Sequence, residues 1–142
     1  MQIDETTLKV FSGSHERCQA NPKFLSLFYQ KFIISNSEIR EKFSNTDMEN
    51  QKMMLHASLY MIMLATQSND AASKYLDIVA NQHSKSALDI RPELYEIWLE
   101  TLLETVSIID PKHNIEVETA WTKVMTYGID YMNSKYDVDS EN

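Results

Sequence analysis

A chain of 142 residues is about the size of one ordinary domain, so one hydrophobic core is expected and a large multidomain enzyme is not. The formal net charge of −8, with a pI near 4.9, speaks against nucleic-acid binding and against docking on an anionic membrane surface. Cys18 is the single cysteine, which excludes an intrachain disulfide or thiolate cluster and suits a reducing cytoplasm, and the polar QIDETT start and the lack of a long apolar run predict neither a secretory signal nor a membrane span.

Glycine and proline are scarce and no β-branched run alternates strictly, so the periodicity predicts an all-α protein. A first helix is expected over about Asp4–Ala20, with Gly13 inside it. Asn21 reads as an N-cap with Pro22 at the first helical position of a second helix, which runs to about Ser35. Leu25, Phe28, Tyr29, Phe32 and Ile33 share a face of it. A short helix over Asn36–Phe43 follows. Thr46 or Asp47 then caps a helix with the stripe Met48, Leu55, Leu59 and Ile62, in which Gln51 takes the place of an apolar residue. Ser68-Asn69-Asp70 marks a break. Ala71–His83 then aligns Ala72, Tyr75, Leu76, Val79 and His83 on one face. Pro92 opens a helix carrying Leu94, Trp98, Leu102, Val106 and Ile109, which Asp110-Pro111 stops. A last helix over about Asn114–Tyr136 buries Val117, Trp121, Val124, Gly128 and Met132, and a frayed tail is expected over 137–142.

Tyr29, Gln51 and His83 stand out because each is a polar side chain on an apolar stripe, where desolvation demands a partner. Each also has an ordinary explanation. A helix-terminal histidine commonly caps or hydrogen-bonds, a buried tyrosine packs its ring and finds a carbonyl, and a boundary glutamine reaches water. Met53, Met54, Met61 and Met63 do not share one helical face and read as adaptable packing. His15, His56 and His113 are expected at the surface or its boundary, and Glu100 and Glu104 on a solvated face. The chain holds no GxSxG, Gly-rich phosphate loop, HExxH or CxxC, so nucleophilic-elbow, nucleotide, zincin and dithiol chemistry lack their motifs.

The segments FLSLFYQKF at 24–32, IREKFSNTDMENQKMML at 39–55, LDIVANQH at 76–83, IRPELYEIWLETLL at 90–103 and EVETAWTKVMTYGIDYM at 116–132 resemble globins, in particular bacterial single-domain globins and the globin modules of flavohaemoglobins. The resemblance covers nearly the whole chain. It implies one globin domain over 1–142, with about six to eight helices around a pocket for haem b. By that resemblance His83 matches the proximal iron ligand, Phe43 the phenylalanine against the porphyrin, and Tyr29 and Gln51 the distal pair, with Leu55 one turn further. Phe28, Met54, Val79, Leu88, Ile90 and Trp98 are the implied pocket walls, Tyr95 lies toward the proximal side, and Lys85 and Arg91 are candidates for the propionates. One protein ligand leaves the sixth iron position open to O₂, NO or CO.

The implied roles are O₂ binding or storage, NO detoxification and gas sensing. Flavohaemoglobins carry flavin and nicotinamide domains that these 142 residues lack, so an NO dioxygenase activity is expected to need an external reductase, and sensing a signalling partner. Two departures bear on the proximal side. TYGIDYMNSKY at 126–136 has no glutamate to match the one that completes the family's proximal histidine relay, and SKSALD at 84–89 is longer than the corresponding connection and lacks its glycine. The alternative is a haem-free phosphotransfer or protein-interaction bundle using His83 beside Lys85, although the glycine of phosphotransfer motifs is also missing.

Overall fold

Five of the helix starts are set by short polar side chains that accept backbone N–H groups. In the computed structural model of the protein, which describes residues 3–137, these are Asp4, Asn36, Asp47, Asn69 and Asn114. Pro92 opens another helix without a side-chain cap, where its missing N–H costs nothing. Among the described residues there are seven helices and no strand: α1 Glu5–Gln19, α2 Phe24–Ile34, α3 Ser37–Lys42, α4 Met48–Thr66, α5 Asp70–His83, α6 Pro92–Ile109 and α7 Ile115–Ser134. The all-α expectation holds. The expected tail lies outside the described residues beyond Asp137. Among the described residues no helix is long and apolar enough to cross a membrane.

The start of α2 differs from the prediction. Asn21 does not cap a helix at Pro22; its side chain accepts from the Lys23 N–H at 2.9 Å, while the Phe24 N–H bonds the Asn21 carbonyl at 3.1 Å. Those bonds close a turn with Asn first and Pro second, positions that suit both residues. The helix therefore begins at Phe24. Gly13 is accommodated within α1.

Helix α1 packs on α7 and α2 on α6, while α4, α5 and α6 all meet α7. At the centre, Phe11, Phe24, Leu59, Leu102, Val106, Trp121, Val124 and Met125 are almost fully buried. The absent side chain of Gly128 is what allows α7 to approach α4, since a Cβ there would stand 2.8 Å from Ile62 Cδ1 and 3.0 Å from Cγ1. Cys18 is a buried free thiol, and burial pushes its pKa up to about 12, so it behaves as a small apolar residue.

A polar knot joins α1, the end of α6 and α7. Asp110, predicted only as a helix stop, is buried and accepts from Ser14 Oγ at 2.6 Å and from Arg17 Nε and Nη2 at 2.7 and 3.0 Å. Trp121 Nε1 donates to Ser14 Oγ at 2.8 Å, completing the network. Burial alone would raise the Asp110 carboxyl, but the Arg17 and Ser14 bonds outweigh it and hold it at about 2.

His15 corrects another expectation. It is buried rather than superficial, its ring stacked on Phe11 at 5.5 Å and set edge-on to Trp121 at 5.8 Å. The signal for this is its place one turn beyond Phe11, on the face that α7 covers. Gln19 Nε2 donates to its ring at 2.5 Å, and burial brings its pKa down to about 4. His56 is exposed and His113 half-buried, as expected.

Candidate functional site

Tyr29 sits in the apolar middle of α2, where Phe28 and Phe32 share its buried face. Phe43, just after α3, meets the Tyr29 ring edge-on at 5.7 Å and Phe32 at 6.0 Å. Burial pushes the Tyr29 phenol up to about 12, offset only in part by a hydrogen bond from Gln51. Gln51 lies in the first turns of α4, half-buried, and its Nε2 donates to the Tyr29 hydroxyl at 3.1 Å. The phenolic oxygen is thus the acceptor, and its own proton is left to donate elsewhere. Phe28 extends the aromatic wall to Trp98 of α6 at 6.2 Å.

His83 closes α5. Its Nδ1 lies 2.7 Å from the Val79 carbonyl one turn earlier, and a carbonyl can only accept, so Nδ1 carries the hydrogen. Burial lowers the imidazole pKa below its usual 6.5, opposed by that same bond, so the ring is neutral at pH 7. A neutral ring with its hydrogen on Nδ1 presents the Nε2 lone pair.

The hairpin of α4 and α5 places these groups at one end. Ser58 Oγ and the Tyr75 hydroxyl, 3.0 Å apart, tie the two helices near their connected ends. Gln51 lies roughly two turns beyond that tie on α4 and His83 roughly two turns beyond it on α5, so both stand at similar heights toward the open end. The rim is laced from the other side. Lys42 Nζ donates to the Leu88 carbonyl at 3.0 Å, and Arg91 Nε meets Glu38 at 3.1 Å, joining α3 to the loop after His83. The Ile90 N–H bonds the His83 carbonyl at 3.0 Å, which continues that loop directly from α5. Tyr136 holds the same loop through Asp89 and through its carbonyl, which accepts from the Lys85 N–H at 2.9 Å.

Contacts thus bring Phe28, Tyr29, Phe43, Gln51 and Trp98 together, and backbone bonds link Val79 and Ile90 to His83. Leu55 is buried on α4, whereas Met54 and Leu88 are 47 % and 58 % exposed. Tyr95 is half-buried, with its phenol pKa raised by burial, and the Nδ1 partner of His83 is the Val79 carbonyl rather than a tyrosine relay. Arg91 is engaged by Glu38 and Glu93, and Lys85 is exposed. Sequence reasoning missed the Val79 carbonyl, which no side-chain identity signals, and the Glu38–Arg91 and Lys42–Leu88 ties, which join residues distant along the chain.

No family model matches the chain and no curated protein does. The fold is that of a globin, and a bacterial protein of solved structure shares it. The crystal structure of a Pseudomonas aeruginosa PAO1 protein, described as structurally highly homologous to a human hemoglobin, superposes with a TM-score of 0.87 at 36 % identity, covering 92 % of this chain and 98 % of that one. The chain belongs to the same family of bacterial globin-like proteins.

Proposed function

We propose that the protein binds haem b as one globin domain of the flavohaemoglobin-module kind, and holds a diatomic gas between the haem and the Tyr29–Gln51 pair. The observation that carries this is His83, a neutral imidazole with Nδ1–H committed to a carbonyl and Nε2 left as the base. Among the described residues no group of three or more His, Cys, Asp or Glu side chains is placed to hold a metal ion. A single imidazole therefore suits a metal that brings its own equatorial ligands, as haem iron does. The apolar and aromatic side chains Phe28, Phe43, Leu55, Val79 and Trp98 suit the faces of such a macrocycle, and the exposed Met54 and Leu88 are apolar surface that it would cover.

Haem, when bound, would supply reversible binding of O₂, NO or CO. The residues of this chain do the rest. His83 Nε2 would hold the iron, and its Nδ1–H bond to Val79 fixes the ring's tautomer and restrains its rotation. Gln51 engages the Tyr29 oxygen, so the phenolic hydrogen is free of that amide and would be available to a polar gas ligand. Phe28 and Phe43 hold the Tyr29 ring in place and keep the region dry, where a hydrogen bond counts for more. A phenolic donor oriented in this way favours a ligand that carries partial negative charge, so O₂ would be retained over CO.

Arg91 is spent on Glu38, which makes it a poor propionate partner and leaves Lys85 as the better of the two candidates. The phosphotransfer alternative wants an exposed histidine, and His83 is half-buried. Titration of the purified chain with hemin tests the proposal. A stoichiometric Soret band that is lost in His83→Ala supports it, and hemin that stays unbound overturns it. Sustained NO consumption with an added reductase would identify an NO dioxygenase, and ligand-dependent association with another protein a sensor.

A further inference from the structure

A concavity lies at the start of α2. A cleft of about 170 Å³ opens where the end of α1, the turn before α2 and the outer side of α4 meet. Its polar lining comes from Gln19, Asn21, Ser26, Lys52 and His56. Every one of these side chains can donate a hydrogen bond, and none of the lining residues is acidic, on a chain with 21 Asp and Glu against 13 Lys and Arg.

We infer that this cleft is a binding site for a small oxyanion, a phosphate or a short carboxylate, held by Lys52 and His56 of α4. The size argues for a small occupant, since pockets for organic cofactors begin at roughly 300 Å³. The Lys52 side chain lines the cleft and is 24 % exposed, while its partner Glu49, 3.2 Å away, is 86 % exposed. A surface pair of that kind contributes little, so an anion entering the cleft can replace Glu49 at the ammonium. Asn21 uses its oxygen on the Lys23 N–H, which leaves its amide hydrogens to donate. Gln19 is committed to His15, whose ring centroid lies 6.4 Å from that of His56, so the cleft is backed by a buried neutral imidazole and not by a carboxylate.

The test is a titration of the whole protein with inorganic phosphate in one arm and malonate in another, followed by the His56 ring resonances at constant ionic strength in chloride. Saturable shifts of His56 are expected, weakened about tenfold or more in Lys52→Met, and phosphate binding followed by calorimetry should weaken as much in His56→Gln, because each variant removes one hydrogen bond to a charged ligand. Saturation with phosphate alone or malonate alone assigns the source. Shifts that never saturate, that chloride reproduces, or that survive Lys52→Met unchanged overturn the proposal. Both substitutions are at exposed or partly exposed positions, and an unchanged thermal midpoint separates lost binding from lost folding.

Discussion

The side-chain amide of Gln51 donates to the hydroxyl of Tyr29 across 3.1 Å, so two residues 22 positions apart on different helices act as one oriented donor. The direction of that bond matters: it turns the phenol into a donor toward whatever lies beyond it.

Replacing Tyr29 with Phe keeps the ring packing against Phe43 and removes the donor. On the haem-globin proposal, O₂ dissociation from Tyr29→Phe should be faster by about tenfold to hundredfold, the worth of one hydrogen bond to a charged group. Gln51→Leu should accelerate it less, since Tyr29 keeps its proton but loses its orientation. Stopped-flow displacement of O₂ by CO measures both, and unchanged rates in the pair of variants would remove them from the ligand side.

His83→Ala should lose tight haem retention, and added imidazole should restore part of the Soret band by filling the vacated space. Circular dichroism should show the helices intact, because the ring's bond to Val79 is peripheral to the helix ladder. Full Soret intensity in the variant without imidazole would show that another residue holds the iron.

Acid should destabilise the fold in two steps. His15 has its pKa depressed from 6.5 to about 4 by burial. The unfolded chain takes up that proton first, so the stability due to His15 is present above pH 6.5 and lost as pH falls toward 4, about 3 kcal/mol in all. Asp110, depressed from 3.8 to about 2, contributes about 2 kcal/mol that is lost only below pH 4. Urea unfolding from pH 7 to 2 should show both limbs, with His15→Phe flattening the upper one and Asp110→Asn the lower. A single limb unaffected by His15→Phe would contradict the assignment.

Gly128→Ala should cost about 2 kcal/mol at most. Overpacking against Ile62 costs about 1–3 kcal/mol, and the better helix propensity of alanine returns about 1. Ile62→Val removes the methyl carbon nearest the new Cβ, so the double variant should be more stable than the two single effects summed. Strict additivity in thermal or chemical unfolding would show that α4 and α7 are not in the close contact described.

Helix positions were legible in the chain because capping and apolar periodicity are local. Asp47 and Asn114 sit where their N–H partners are two or three residues away, and Asp110-Pro111 stops α6 by chemistry within a single turn. The anomalous placement of Tyr29, Gln51 and His83 was legible for the same reason, as a polar residue on a stripe needs only its own helix to be noticed. The start of α2 was misread because Asn21 can cap a helix or close a turn, and the choice between them depends on how the backbone leaves α1.

What the sequence determined by itself was which faces of the helices are apolar and which polar residues break them, since both follow from the 3.6-residue repeat. Tertiary structure decided what those residues meet. Only packing buries His15 between Phe11 and Trp121, turns Asp110 from a helix stop into the acceptor for Ser14 and Arg17, and brings the Gln51 amide to the Tyr29 oxygen. The Gln51–Tyr29 bond joins residues 22 positions apart and the Ser14–Asp110 bond residues 96 apart, and their energies depend on distance and on exclusion of water, neither of which exists until the helices close on one another.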